Sequence, residues 1–186
     1  MAKFCGVGIG IGVACVDGQG RLLVGRRKGS HGSGTIALPG GHLELNETWE
    51  ECARREVLEE TGLTVCAGAM PHIFTSNSRM PDDKHYVTLV LLGRIPEGAE
   101  PQNLEPNKCE GWSYATWTDL RASNDPMFLP LRHLLDSADA PLWAVAETSS
   151  SKTKLWQSSA THIAAALAGA AAAVLVMGIS RGNSKR

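Results

Sequence analysis

Residues Gly41 to Leu63, GHLELNETWEECARREVLEETGL, follow a fixed spacing, G-x5-E-x7-R-E-V-x-E-E-x-G-L. The positions that define it are Gly41, Glu47, Arg55, Glu56, Val57, Glu59, Glu60, Gly62 and Leu63. Thr48 followed by Glu51 is a capping box that starts a helix, and Gly62 is a natural left-handed stop at its other end. At about 100° per residue, Glu60 falls about 40° to one side of Glu56 and Glu59 about 60° to the other. Trp49, Cys52 and Ala53 project into the same arc, so the acids are expected on the face that points inward. A solvated charged face is the ordinary reading of a Glu-rich helix. Glutamate on an apolar stripe is costly unless it is paired or metal-bound, however, and neighbouring carboxylates repel one another. A divalent cation relieves both costs, and an oxygen-only donor set favours Mg²⁺ or Mn²⁺ over zinc. Arg55, four residues before Glu59, is placed to brace that carboxylate as a helix pair.

This run resembles the Nudix box in full. The box is the signature of hydrolases that cleave nucleoside diphosphates linked to another moiety. The resemblance implies that Glu56, Glu59 and Glu60 are metal ligands and, with Arg55, the catalytic set. It also implies that Gly41 shapes the loop before the helix and that Glu47 supports the site.

The chain has 186 residues, enough for one domain with a core and a short appendage. A formal net charge of −1 gives no reason to expect binding to a nucleic-acid polymer. Five cysteines, Cys5, Cys15, Cys52, Cys66 and Cys109, are scattered without a C-x-x-C pair. They read as reduced core thiols of a cytosolic protein. The amino terminus, MAKFCGVGIG, shows neither a secretory signal nor a transit peptide.

Residues 6–16 alternate glycine with Val7, Ile9, Ile11 and Val13, a strand with one face almost bare. Either a ligand approaches that backbone closely or another element packs tightly on it. Asp17 to Gly20 is a turn into a second strand, Arg21 to Gly25, and completes a hairpin. The basic run Arg26-Arg27-Lys28-Gly29-Ser30 reads either as a solvated turn or as a grip on substrate phosphates. Pro39-Gly40-Gly41 then turns into the acidic helix. Strands are expected over Thr64–Phe74 and His85–Ile95, with residues 75–84 as a polar loop overhanging the site. A further strand ends in WSYATW, and a last helix lies within residues 126–136, with Pro126 and Pro130 breaking its start. Strands alternating around a helix predict an α/β chain with a mixed sheet and helices on both faces.

GVGIGIG, LLVGRRKGSHGSG, LPGGHLE, HYVTL, LEPNKCEGW and PMFLPLRHL extend the resemblance over residues 4–136. Together they are similar to the MutT-like nucleotide diphosphatases of plants and animals. That resemblance implies a Nudix α/β/α sandwich and a homodimer. It also implies hydrolysis of (deoxy)nucleoside triphosphates, oxidised purine nucleotides included, to monophosphate and pyrophosphate. Arg27 is then a phosphate contact, Gly40 and Gly41 line the pocket, and Thr88 lies beside base or sugar. Phe128 and Leu131 flank the base, and Glu110 is a fourth acid at the metal site. Two departures bear on substrate identity. Ile36 stands where many relatives have an aromatic residue, and Pro130, with no N–H for a base edge, stands where the animal type has glycine. Rival readings are the same machinery acting on dihydroneopterin triphosphate, a dinucleotide or a nucleotide sugar, and a membrane-tethered module that binds nucleotide without cutting it.

The domain is read as residues 1–142, followed by a Ser/Thr/Lys-rich linker over 143–158. Ile163 to Ile179, IAAALAGAAAAVLVMGI, is seventeen residues without a charge. Lys152, Lys154 and Trp156 flank it on one side, and Arg181, Lys185 and Arg186 on the other. As a helix the charge-free run is roughly 26 Å long, enough for a thin bilayer span with interfacial flanks. The expectation is a tail anchor over 159–180 with a basic tail over 181–186, holding the domain on the cytosolic side of a membrane. The alternative is an alanine-rich helix that stays in water.

Overall fold

The alternating amino-terminal run forms strand β1 (Gly8–Val16), the centre of a seven-stranded mixed sheet in the computed structural model of the protein. The structure describes residues 6–29, 31–80 and 84–137. All of these belong to the first of two compact units, Met1–Glu147. Along one edge β1 runs parallel to β6 (Lys84–Arg94) in continuous register from Gly8↔Tyr86 to Val16↔Arg94. β6 pairs antiparallel with β5 (His72–Met80). On its other edge β1 meets β2 (Leu22–Arg27) at the base of the hairpin, Val16↔Leu22, and the two strands then part. The segment that follows β2 fills the opening. β3 (Ile36–Ala37) pairs with Gly25 and Arg26 of β2, and β4 (Gly40–His42) pairs with Gly10 to Gly12 of β1. Between them Pro39 accepts a hydrogen bond from the Val13 amide at 2.9 Å. β7 (Cys109–Ala115) closes the far side of β2.

Alternation along β1 builds a core on each face, as the pattern predicts. Ile11, Val13 and Cys15 pack beneath α1 (Trp49–Thr61) against Cys52, Ala53 and Val57. Ala14 and Val16 join Leu22, Val24 and Val90 on the opposite face. That face is covered by Trp117 and Leu120 of α2 (Trp117–Ala122) and by Leu131, Leu134 and Leu135 of α3 (Leu129–Ser137). α1 buries mostly small residues (Cys52, Ala53, Val57 and Thr61), so its axis can lie close to the sheet. The capping box forms as expected, with the Glu51 amide donating to Thr48 Oγ1 at 3.2 Å and Thr48 N to Glu51 Oε2 at 2.8 Å. Gly62 ends the helix at φ 68° and donates to Leu58 O at 2.9 Å.

Several expectations are corrected. The second strand runs to Arg27, so Arg26 and Arg27 extend β2 and only Lys28 and Gly29 follow it in the described part of the basic run. No strand forms over residues 64–71. β5 begins at His72 and continues to Met80, through most of the stretch read as a polar loop. Polarity misled there because Ser76 and Ser78 point inward yet satisfy each other at 2.8 Å, and Ser76 also meets His133 Nδ1 at 2.7 Å. A paired hydroxyl can be buried where a lone one could not. Trp49 is half exposed, so the apolar face of α1 is narrower than its sequence suggests. The last helix starts at Leu129, because residues 126–128 extend beside β3: Ile36 N donates to Pro126 O and Phe128 N to Ile36 O, both at 2.8 Å. Cys15, Cys52, Cys66 and Cys109 are free, and Cys66 is exposed, not a core thiol. Among the described residues no helix is long and apolar enough to cross a membrane. The linker, the tail and Cys5 lie outside the described residues.

Gly40 decides how closely the parts join. Its φ is 142°, and a Cβ there would overlap the carbonyl oxygen of Ile11 and touch Gly12 Cα at 3.0 Å. Gly40→Ala is expected to lower stability by about 3 kcal/mol, combining backbone strain with steric overlap. Gly18→Ala, with nothing within 4 Å of the added carbon, should change it little. Urea unfolding of both variants measures the difference.

Candidate active site

The acidic helix presents its carboxylates in three different settings. Arg55 organises most of them. Its Nε and Nη2 grip the two oxygens of Glu47 at 2.8 and 3.0 Å, and Nη1 donates to Glu56 Oε1 at 2.8 Å. Nη2 also donates to the carbonyl of His42 in β4 at 3.2 Å, tying helix to sheet. The helix pair expected with Glu59 is present but longer, at 3.4 Å, and Glu59 is 56% exposed, so it does not point inward. Fork-to-carboxylate geometry explains the preference for Glu47. Arg55 holds the Glu47 carboxyl down to about 2.

Glu60 is the opposite case. It is largely buried, and its carboxylate accepts a hydrogen bond from the Gly40 amide at 3.0 Å. Burial pushes it up to about 7, with repulsion from Glu56 and Glu105 adding to the shift. Gly41 provides the other cradle, since any Cβ there would collide with the Glu56 carboxylate. Among the described residues no three acidic, histidine or cysteine side chains stand in ready-made metal geometry. The donor set nevertheless fits a hard cation. Glu56, Glu59 and Glu60 are oxygen donors lining one cavity, and burial, with repulsion from Glu56 and Glu105, destabilises Glu60 as an anion.

That cavity has a volume of about 620 Å³. One wall is the acidic helix with Arg55. The floor is the glycine face of β1 with Thr88, whose Oγ1 would lie 3.2 Å from a Cβ on Gly10. Both readings of that bare face therefore hold in part: Gly10 and Gly12 line the cavity, while the Tyr86 ring packs against Gly8. The far wall is aromatic. Phe128 meets His31 edge-on at 5.8 Å, and His31 and His42 both contact the Tyr86 ring, at 6.2 and 5.4 Å. Arg27 stacks its guanidinium 4.4 Å over Phe128 and donates through Nε to His31 O at 3.1 Å. Its Nη1 and Nη2 have no hydrogen-bond partner among the described residues, and burial lowers its pKa. Such a cation, desolvated and with donors to spare, is suited to an anion.

Arg27, Gly40, Gly41, Thr88, Phe128 and Leu131 thus line the same cavity as Arg55, Glu56, Glu59 and Glu60. Glu110 does not. It is 56% exposed and turns to Arg26 at 3.9 Å, because alternation along β7 sends its neighbour Cys109 into the cavity instead. Arg26 is likewise outside, paired with Asp125 at 2.8 Å. Sequence reading passed over His31, Tyr86, Lys108 and Trp112, all of which line the cavity. Tyr86 had a usable signal, since a large ring is what a glycine in the neighbouring strand accommodates. Lys108, donating to Glu105 Oε1 at 2.7 Å, had none.

Comparison with known proteins agrees with this geometry. The NUDIX domain model matches residues 7–137. An ADP-ribose pyrophosphatase of Methanocaldococcus jannaschii is 34% identical over 95 residues, covering 48% of this chain and 56% of the relative. An oxidized purine nucleoside triphosphate hydrolase of Danio rerio is 50% identical over 46 residues, covering 25% and 30%. The chain therefore spans about half or less of the length of these curated relatives. The crystal structure of a MutT NUDIX hydrolase from Burkholderia pseudomallei superposes with a TM-score of 0.63 at 25% identity, covering 72% of this chain and 99% of that one. With the acidic helix, its glycine turn and the mixed sheet in place, this chain belongs to the NUDIX domain family.

Proposed function

We propose that the protein is a metal-dependent hydrolase of phosphoric anhydride bonds in nucleotides, converting (deoxy)nucleoside triphosphates to monophosphate and pyrophosphate. The observation that carries this reading is the meeting of two unlike walls in one cavity. Carboxylates and Arg55 line one side, and aromatic rings with a spare guanidinium line the other. Glu56, Glu59 and Glu60 would hold a divalent cation, Mg²⁺ or Mn²⁺, which supplies charge stabilisation at phosphate oxygens and eases ionisation of water. The chain's own residues do the rest. Arg27 offsets negative charge on the phosphates with its free Nη donors. Phe128, Tyr86 and Leu131 sandwich the base, and the Thr88 hydroxyl meets its edge or the sugar. A carboxylate of the helix accepts the proton of the attacking water. Arg55, committed to Glu47 and Glu56, orients acids and does not contact substrate.

A second reading takes a nucleoside diphosphate linked to a sugar. The named activity of the Methanocaldococcus relative supports it, and so does the second aromatic surface that His42 and Tyr86 offer at the rim. Product analysis over a panel of nucleoside triphosphates, nucleotide sugars, dinucleotides and dihydroneopterin triphosphate separates the two. Cytosolic-side attachment through residues 159–180, beyond a domain ending near residue 142, belongs to the same proposal, as does a homodimer. Tagged residues 143–186 expressed alone should localise to a membrane, and light scattering of the purified chain gives its assembly state.

Glu60→Gln should lower kcat/KM by about 10²–10⁴-fold while leaving the thermal midpoint within a few degrees. Undiminished turnover at saturating Mg²⁺ would remove Glu60 from the machinery. The pH dependence has a defined sign. Because folding raises Glu60 above its ordinary value of 4.5 to about 7, the folded state prefers the protonated acid. Without a cation, Glu60 therefore costs stability increasingly as pH rises from 4.5 to 7, and a constant amount above that. A cation binds only the ionised form. Mg²⁺ should accordingly raise the melting temperature clearly above pH 7 and hardly at all near pH 5, as differential scanning fluorimetry at both pH values will record.

A further inference from the structure

Resting on the reading that Glu60 is a metal-holding carboxylate, we propose that Trp112 is a positioning residue which, through its indole N–H, fixes the backbone from which Glu60 projects. Glu60 sits in the last turn of α1, where carbonyls have no partner within the helix. Its own carbonyl accepts from Trp112 Nε1 at 3.2 Å and from the Leu104 amide at 3.2 Å, so both lone pairs are used. The next carbonyl, that of Thr61, accepts from Gln102 N at 2.9 Å. A strap from Gln102 to Trp112 thus caps the helix end, and Glu60 is held twice: at its backbone by β7, and at its carboxylate by Gly40 of β4.

The strap is itself anchored. Asn103 Nδ2 donates to Cys109 O at 3.0 Å, and Lys28 reaches across with its amide to Lys108 O at 2.6 Å and its ammonium to Pro106 O at 2.8 Å. Trp112 reaches α1 only because its neighbour in β2 is glycine. A Cβ on Gly25 would approach the indole at 2.7 Å and Cys109 Sγ at 2.7 Å. The indole therefore occupies the space a side chain at Gly25 would take and points its N–H at the helix. A carboxylate in a cation site must be aimed closely, and groups behind metal ligands typically change affinity when removed.

Trp112→Phe keeps an aromatic side chain beside Gly25 and deletes the N–H donor together with the volume of one fused ring. Mn²⁺ titration of the full chain, followed by electron paramagnetic resonance of the free ion, reads the consequence without relying on turnover. The dissociation constant is expected to rise about three- to tenfold, the size of one modest hydrogen bond. Tyr114→Phe is the control, because it deletes a hydrogen bond of the same strand, Tyr114 Oη to Ala99 O at 3.3 Å, that has no tie to α1. It should leave Mn²⁺ affinity unaltered. If Trp112→Phe lowers the melting temperature but binds Mn²⁺ within twofold of the parent, the role is merely structural and the inference fails. If the parent itself binds no Mn²⁺, the fault lies with the metal reading of Glu60.

Discussion

Everything at the candidate site depends on how closely one helix approaches one backbone. α1 carries Cys52, Ala53 and Val57 toward the sheet, and the strand it faces at Gly40 and Gly41 has no side chains to hold it off. The Gly40 amide consequently meets Glu60 directly, and the Glu56 carboxylate occupies the space a Cβ on Gly41 would need. A methyl group on Gly41 would displace the Glu56 carboxylate, and one on Gly40 would part β4 from β1. Glu60 is thereby held against a backbone amide and away from water, and burial raises its pKa above that of an ordinary surface glutamate.

Electrostatics at the site follows from division of labour among like residues. Arg55 cannot serve every carboxylate, and its fork is spent on Glu47 and Glu56. Glu47 becomes a firmly ionised support, Glu59 remains half in solvent, and Glu60 is left with a backbone amide alone. Four chemically identical side chains thus differ widely in behaviour through one cation's geometry and their depth. Helical spacing shows which acids lie near one another, but the partner an arginine selects depends on the loop that brings Glu47 back toward the helix.

The legible part of the fold was the part written in local chemistry. Thr48, Glu51 and Gly62 mark the ends of α1 because capping depends on neighbours in sequence. β1 was legible from its alternation and β6 from its apolar run, because both strands send side chains into two cores. β5 was not, since Ser76 and Ser78 become acceptable inside only through His133, 57 residues from Ser76. Six residues expected to contact substrate do line the cavity, and the motif resemblance carried them there. Glu110 shows the limit of such transfer: one step along β7 exchanges cavity for solvent, and composition gives no hint of which side a residue takes. His31 and Lys108 sit on connecting segments whose course is set by distant contacts, so no local pattern could have nominated them.

The parallel pairing of β1 with β6 has a consequence for how the molecule comes into being. These strands are partners from Gly8↔Tyr86 to Val16↔Arg94, and the whole acidic helix lies in the crossover between them. Such long-range pairing closes a large loop before it gains contacts, which is the slow kind of assembly. During synthesis the helix emerges with its caps complete, but the edge of β1 waits open until residue 94 has been made, and the helix end waits longer for Trp112. The strands and helix that hold the acids can meet early, within residues 10–60, but the cavity stays incomplete until Tyr86, Thr88, Trp112 and Phe128 have been made.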